Sequence, residues 1–293
     1  MSTAHDSPDA HVDSATGKST TGHEWDGIRE LNTPLPRWWL WTFYACIVWS
    51  VGYWFVYPAW PLISSATGGL IGWHSRTAVE TQLADLTALR ATSSARLANV
   101  PLDEIERNPA LLSLARAEGR VAFADNCAPC HGAGGGGAKG YPNLNDDDWL
   151  WGGTLAQIQA TIEHGVRAGD DKGHQGNMIA FAGVLTPAQM SDVADYVRSL
   201  SGLVPAGEPA VARGAVVFKA NCAVCHGDDA KGKVELGSKN LTDGIWLYGG
   251  DKATIVQTIA HGRGGVMPAW GSRLPASTIK ALTVYVHTLG GGQ

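Results

Sequence analysis

The chain spells one pentad, Cys-x-x-Cys-His, at Cys127 to His131 and again at Cys222 to His226. Two thiols and an imidazole at that spacing suit covalent haem attachment. The thiols add across the porphyrin vinyl groups as thioethers, and the adjacent His reaches the iron as proximal ligand. A redox dithiol would instead follow a strand in a βαβ pattern, and a zinc site would gather its ligands from both knuckles. Here each pentad closes a helical stretch and opens a Gly-rich loop. The expected cofactors are therefore two covalently bound haem c, held by Cys127 and Cys130 with His131, and by Cys222 and Cys225 with His226. Cys46 lies in an apolar run and reads as a buried, inert thiol.

The pentads belong to a longer repeat. Gly119 and Phe123 precede the first as Gly214 and Phe218 precede the second. Beyond them, at a constant offset of 97, Asn143, Leu144, Trp149, Leu150, Gly152, Ile158, Thr161, Ile162, His164 and Gly165 recur from Asn240 to Gly262. The register then slips by eight, because Val166 to Asn177 is longer than its counterpart, Arg263 to Val266. Met178-Ile-Ala-Phe181 aligns with Met267-Pro-Ala-Trp270, and each copy ends in an amphipathic helix carrying Tyr196 or Tyr285. Thr186 before Pro187 reads as a helix N-cap and first helical residue. A duplicated domain follows, with 109–203 as the first copy, 204–293 as the second and a Gly/Pro-rich linker at 202–209.

Each copy reads as helix, pentad, Gly-rich loop, short helix, Met loop, helix. That order resembles the class I cytochrome c fold, whose first and last helices cross near a Gly and an aromatic. Gly119 with Tyr196, and Gly214 with Tyr285, are the crossings expected. Of four Met, Met1 is terminal and Met190 sits on a closing helix, while Met178 and Met267 hold equivalent loop positions. They are the candidate sixth ligands, His131 with Met178 and His226 with Met267, and a Met thioether there raises the reduction potential. His164 and His261 read as helix C-terminal residues before Gly. His174, in the insertion, is a competing ligand for the first iron. Arg167 and Arg263 are candidates for haem propionates or plain surface cations, and Trp149 and Trp246 are candidates for the haem edge.

From Trp38 to Tyr57 there are twenty uncharged residues, enough to cross about 30 Å of hydrocarbon as a helix. Trp38, Trp39 and Trp41 at one end, with Tyr53, Trp54, Tyr57 and Trp60 at the other, suit aromatic belts at the two headgroup layers. A cleaved signal peptide would start nearer residue 1 and have a shorter apolar core. Lys18, Arg29 and Arg37 before the span, against Arg76 after it, place the N-terminus in the cytoplasm and the haem domains in the periplasm. The organisation expected is all-α: a cytoplasmic segment 1–36, an anchor 37–61 in the bacterial inner membrane, a periplasmic linker helix within 62–108, then two tandem class I cytochrome c domains. Residues 1–22, rich in Ser, Thr, Asp and His, carry no clear ordering signal.

The net charge of −5 supplies no Lys/Arg stripe for phosphate, which excludes a general nucleic-acid binder. Residues 109–203 hold 6 Lys/Arg and 10 Asp/Glu, against 9 and 6 in 208–293. That asymmetry suggests docking of a basic cytochrome on the first copy, at Asp146, Asp147 and Asp148. Two irons with both axial positions filled pass electrons and bind no substrate, so a one-electron relay is the expected activity.

The lead-in from His23 through Trp25, Arg29, Pro34, Pro36 and Arg37 to Leu40 resembles that of the dihaem c-type subunit (subunit III, CcoP or FixP) of bacterial cbb3-type cytochrome c oxidase. The resemblance covers nearly the whole chain. It implies a non-catalytic electron-transfer subunit that takes electrons from a soluble or membrane-bound cytochrome c donor. They pass through a monohaem c-type subunit to the catalytic haem-copper subunit, where oxygen is reduced to water and protons are pumped. A stand-alone anchored dihaem carrier and a dihaem peroxidase are the alternatives, the latter needing one displaceable iron ligand.

Overall fold

The computed structural model describes residues 11–291, so the first ten residues of the segment 1–36 lie outside it. The chain forms two compact units, one ending at Ala88 and one beginning at Leu89.

The first unit holds a short hairpin that the all-α reading did not include. Strands β1 (Thr20–Trp25) and β2 (Ile28–Leu31) pair antiparallel, with Trp25 opposite Ile28. Asp26 and Gly27 make the turn with φ of 50° and 84°, and an Asp-Gly pair with both φ positive is the turn that matches strand twist. Helix α1 (Arg37–Val56) begins directly after Pro36 and is long enough, at about 1.5 Å per residue, to span the hydrocarbon layer. None of its residues is buried by protein, and Trp38, Trp41 and Trp49 are among its most exposed. Cys46 is accordingly exposed on this helix; the expected burial of its thiol has no protein source, because nothing packs over the span.

Helix α2 (Ser75–Ala98) runs into the second unit, whose remaining helices are α3 (Leu102–Arg107), α4 (Pro109–Asn126), α5 (Ala128–His131), α6 (Leu155–His164), α7 (Pro187–Leu200), α8 (Pro209–Asn221), α9 (Ala223–His226), α10 (Lys252–His261) and α11 (Ala276–His287). Local chemistry fixes several starts. Asn108 accepts from the amides of Ala110 and Leu111 ahead of Pro109, and Thr186 forms a capping box with Gln189 ahead of Pro187. The region expected as a linker contributes to the core as well. Leu97 and Ile105 are fully buried with Leu111, Ala115, Ala281 and Val284, and Lys280 donates to the carbonyls of Ala98 and Val100 at 2.8 and 2.7 Å.

The two copies do not close on themselves. Helix α4 packs on α11, and α7 packs on α8. A Cβ on Gly119 would lie 2.3 Å from the Ala281 carbonyl oxygen and 2.6 Å from Tyr285 Cβ, whereas one on Gly214 would lie 2.1 Å from the Asp192 carbonyl oxygen and 2.8 Å from Tyr196 Cβ. Phe123 meets Tyr285 at 5.4 Å between ring centroids, and Phe218 meets Tyr196 at 5.1 Å. The expected crossings of Gly119 with Tyr196 and Gly214 with Tyr285 are therefore exchanged. A physical reason is the short connection: only eight residues separate Leu200 from Pro209, and helices joined so closely pack as antiparallel neighbours. The first lobe combines α4 to α6 with the chain from Met267 onward. The second lobe is the continuous stretch 178–266, entered and left at adjacent crossings. The boundary expected near residue 203 falls inside this second lobe.

The Gly119 contact sets a stability prediction. Gly119→Ala has no backbone strain to overcome but must move α4 off α11, so it should cost at least about 2 kcal/mol, as overpacking does. Chemical denaturation of the whole chain checks this, with Gly134→Ala as control, since a Cβ at Gly134 meets nothing within 4 Å.

Reassigning residues to lobes also removes the charge asymmetry. The first lobe, 109–177 with 267–293, holds 7 Lys/Arg and 8 Asp/Glu, and the second, 178–266, holds 8 of each. Helix α7 takes Asp192, Asp195 and Arg198 into the second lobe, a net change of one charge, while Arg273 and Lys280 join the first.

Candidate functional site

Each pentad is one tight helical turn. The amides of Cys130 and His131 donate to the Cys127 carbonyl at 3.1 and 2.9 Å, and those of Cys225 and His226 to the Cys222 carbonyl at the same distances. Gly132 and Gly227 end the turns with φ of 78° and 81°. His131 Nδ1 lies 3.0 Å from the Pro142 carbonyl oxygen, and His226 Nδ1 lies 3.0 Å from that of Lys239. A ring nitrogen facing a carbonyl oxygen must carry the proton, which leaves Nε2 with its lone pair for a metal. Burial pushes both imidazoles below their ordinary value and keeps them neutral, the form that ligates. Burial, reinforced by the second thiol, also raises Cys127 and Cys222 to about 11.

The Met residues follow the exchanged helices. Met267 packs on the core of Phe123, Ile158 and Ile162, with Cys127 and Trp270 against the same core. Met178 packs on Phe218, Ile255 and Ile259, with Cys222 against the same core. The pairing expected from chain order is thus crossed: each Met lies in the lobe of the other copy's pentad. Backbone ladders fix the crossing. Val166 and Met267 exchange amide hydrogen bonds of 2.9 and 3.0 Å, and so do Met178 and Arg263. Gly165 and Gly262, which close α6 and α10 with φ of 70° and 71°, leave these ladders room, since a Cβ on either would lie 2.4 Å from the Met267 or Met178 carbonyl oxygen. A pair of thiols on one helical turn, an imidazole presenting Nε2 and a thioether in the same apolar core form the donor set of a c-type haem with two axial ligands. Each lobe fits that group.

The supporting residues differ between lobes in an ordered way. Trp149 lies against Gly153 and Trp246 against Gly250, each packed on the core of its own lobe. Arg263 donates from Nε to Thr258 Oγ1 at 3.0 Å, with its guanidinium carbon 4.3 Å from the Tyr248 ring centroid. In the first lobe the equivalent Thr161 hydroxyl meets His174 Nε2 at 3.0 Å, and His174 stacks at 4.2 Å on Trp151, the repeat partner of Tyr248. The insertion 166–177 therefore delivers His174 to the place that Arg263 fills in the second lobe. The His174 ring is engaged there by Thr161 and Trp151. Arg167 commits Nε and a terminal amino group to the carbonyls of Gly265 and Gly176. His164 ends α6 and pairs with Asp170 at 3.0 Å, while His261 ends α10.

Sequence reasoning missed the seam between lobes. Trp151 lies against Gly237 and Tyr248 against Gly140, residues equivalent in the repeat. Between these contacts lies a cavity of about 400 Å³, lined by Pro142, Asp148, Lys239 and Ile245 among others. Asp148, expected to face a docking cytochrome, is paired with Lys239 and only 14% exposed. Desolvation pushes its carboxyl above the usual range, although Lys239 pulls the other way.

Comparison with known proteins identifies the same three parts of the chain in sequence order. Residues 17–64 match the N-terminal domain of cytochrome oxidase-cbb3, FixP; residues 116–201 match cytochrome c; and residues 209–286 match cytochrome c oxidase, cbb3-type, subunit III. The chain is 74% identical to the cbb3-type cytochrome c oxidase subunit FixP of Azorhizobium caulinodans over the full length of both. It belongs to the FixP/CcoP family of cbb3-type oxidase subunits. Identity to the FixP subunit of Bradyrhizobium diazoefficiens is 60%, over 97% of this chain and 99% of that one. To the CcoP subunit of Azospirillum brasilense it is 51%, over 96% and 98%. The FixP/CcoP chain thus carries two cytochrome c domains, which imply covalent haem c, and a membrane helix, within an oxidase that is an enzyme as a complex.

Proposed function

We propose that this chain is the electron-relay subunit of its oxidase, accepting electrons one at a time from a periplasmic or membrane-bound cytochrome c. It passes them through two haems c to the monohaem c-type subunit and the haem-copper subunit, where oxygen is reduced and protons are pumped. When bound, each haem c supplies a one-electron couple that the axial ligands tune. The residues do the rest. Cys127 with Cys130, and Cys222 with Cys225, hold the two groups as thioethers. His131 and His226 present Nε2 to the irons, fixed by the carbonyls of Pro142 and Lys239. Met267 would complete the iron ligands in the lobe of His131, and Met178 in the lobe of His226. Trp149 and Trp246 border the two groups, and the terminal N–H groups of Arg263 are offered to a propionate.

The observation that carries this reading is the packing of each Met against the same apolar core as a pentad cysteine. Such a site moves an electron without admitting substrate. The peroxidase alternative needs a second ligand ready to exchange at one iron, and His174, which offered it, is tied to Thr161 and Trp151. Helix α1 anchors the chain, with the N-terminus cytoplasmic and the haem lobes periplasmic, as the Lys18, Arg29 and Arg37 bias directs.

Purification through a tag on this chain in mild detergent tests the relay. Haem b, copper and two further subunits should accompany two haems c, and reduced cytochrome c should drive oxygen uptake. Haem c alone, with no partner subunits, would contradict the oxidase role and leave a stand-alone carrier.

A further inference from the structure

The two lobes meet through equivalent surfaces that differ at several positions, two of which place a charged residue in one copy against an uncharged one in the other. At the repeat offset of 97, Pro142 corresponds to Lys239 and Asp148 to Ile245. Pro142 and Ile245 form the apolar half of the seam cavity, and Lys239 with Asp148 the ionic half. The Lys239 and Asp148 side chains are 16% and 14% exposed, and Lys239 Nζ also lies 3.1 Å from Asp243. The same Lys239 supplies the carbonyl that receives His226 Nδ1–H at 3.0 Å, whereas in the first lobe that task falls to an uncharged Pro. Its backbone has no slack, since a Cβ on Gly232 would lie 2.9 and 3.0 Å from the Lys239 carbonyl carbon and oxygen.

We propose that Lys239 is a positioning residue that makes the two irons unequal: its ammonium, held across the seam by Asp148, sets the reduction potential of the haem attached at Cys222 and Cys225. This rests on the haem c reading above. Outer-shell hydrogen bonds and local charge tune a metal through the ligand they hold. A positive charge kept out of water on the residue that holds the proximal His disfavours the ferric state, and the Asp148 carboxylate opposes it. The pair draws its partners from opposite lobes, so it also ties that tuning to correct assembly of the seam.

Spectroelectrochemical titration of the whole chain in detergent tests this, with haem c counted by the pyridine haemochrome. Lys239→Met should lower one wave, the one lost in Met178→Leu, by about tenfold in its redox equilibrium, or 59 mV for one electron. Asp148→Asn, which keeps the shape and removes the charge, should raise the same wave. Lys239→Arg should stay at the parent value. Opposite signs are the mark of charge, because a merely structural loosening would move both variants the same way. Unchanged waves, or shifts of one sign, would overturn the proposal. If Lys239→Met does not accumulate, the sign of Asp148→Asn decides alone. Fewer than two haems c in the parent chain would instead overturn the underlying haem reading.

Discussion

Replacing Met267 by Leu should strip the sixth ligand from the haem bound at Cys127 and Cys130, and should leave the haem at Cys222 and Cys225, which lies nearer in sequence, untouched. Met178→Leu should do the reverse. Axial ligands command roughly 0.8 V of haem potential, so loss of a Met thioether should lower the affected wave by about a few tenths of a volt. Substitutions at the seam should alter electron transfer far less, because only a relay poised that far down stops accepting electrons from its donor. The assignment follows from packing: Met267 shares a core with Phe123 and Cys127, and Met178 shares one with Phe218 and Cys222. Spectra of each Met variant combined with Ser in place of the cysteines of one pentad show which haem has lost its ligand. If Met178→Leu disturbed the haem at Cys127 and Cys130, the crossed assignment would be wrong.

Much of this was legible in the residues. The pentads name their chemistry, the offset of 97 reveals the duplication, and an uncharged, Trp-rich run of twenty residues marks the span. Which copy completes which lobe was not legible, for a physical reason. Gly119 and Gly214 are equivalent, as are Tyr196 and Tyr285, so exchanged and unexchanged crossings present nearly the same local surfaces. Only the short link between α7 and α8, and the ladders of Val166 with Met267 and Arg263 with Met178, break that degeneracy. The link length was available in advance as a signal, but the ladders were not, because each joins residues from different copies with no local pattern to pair them.

Other differences have similar origins. The Asp26-Gly27 turn between Trp25 and Ile28 is a recognisable hairpin signal that the neighbouring anchor overshadowed. His174 looked like a spare ligand because the insertion carrying it ends beside Met178 in sequence. In space it substitutes for Arg263, since both engage the Thr that the repeat places at Thr161 and Thr258. Asp148 read as part of a docking surface because its partner Lys239 lies in the other copy. Charge counted by chain order was misleading for the same reason, as α7 joins the second lobe and Arg273 and Lys280 join the first.

Cutting the linker tests the exchange of segments most directly. A protease site placed between Gly202 and Glu208 severs the chain inside the second lobe, where α7 and α8 pack on each other. Neither fragment then holds a complete lobe: the N-terminal one keeps α4 to α7 with Met178, and the C-terminal one keeps α8 to α11 with Met267. After complete cleavage, the two fragments should still migrate as one 1:1 particle in non-denaturing gel filtration, with both haem waves at their parent potentials, and should separate only on unfolding. Release of two free fragments, each an intact His/Met cytochrome, would contradict the exchange and restore the pairing in chain order.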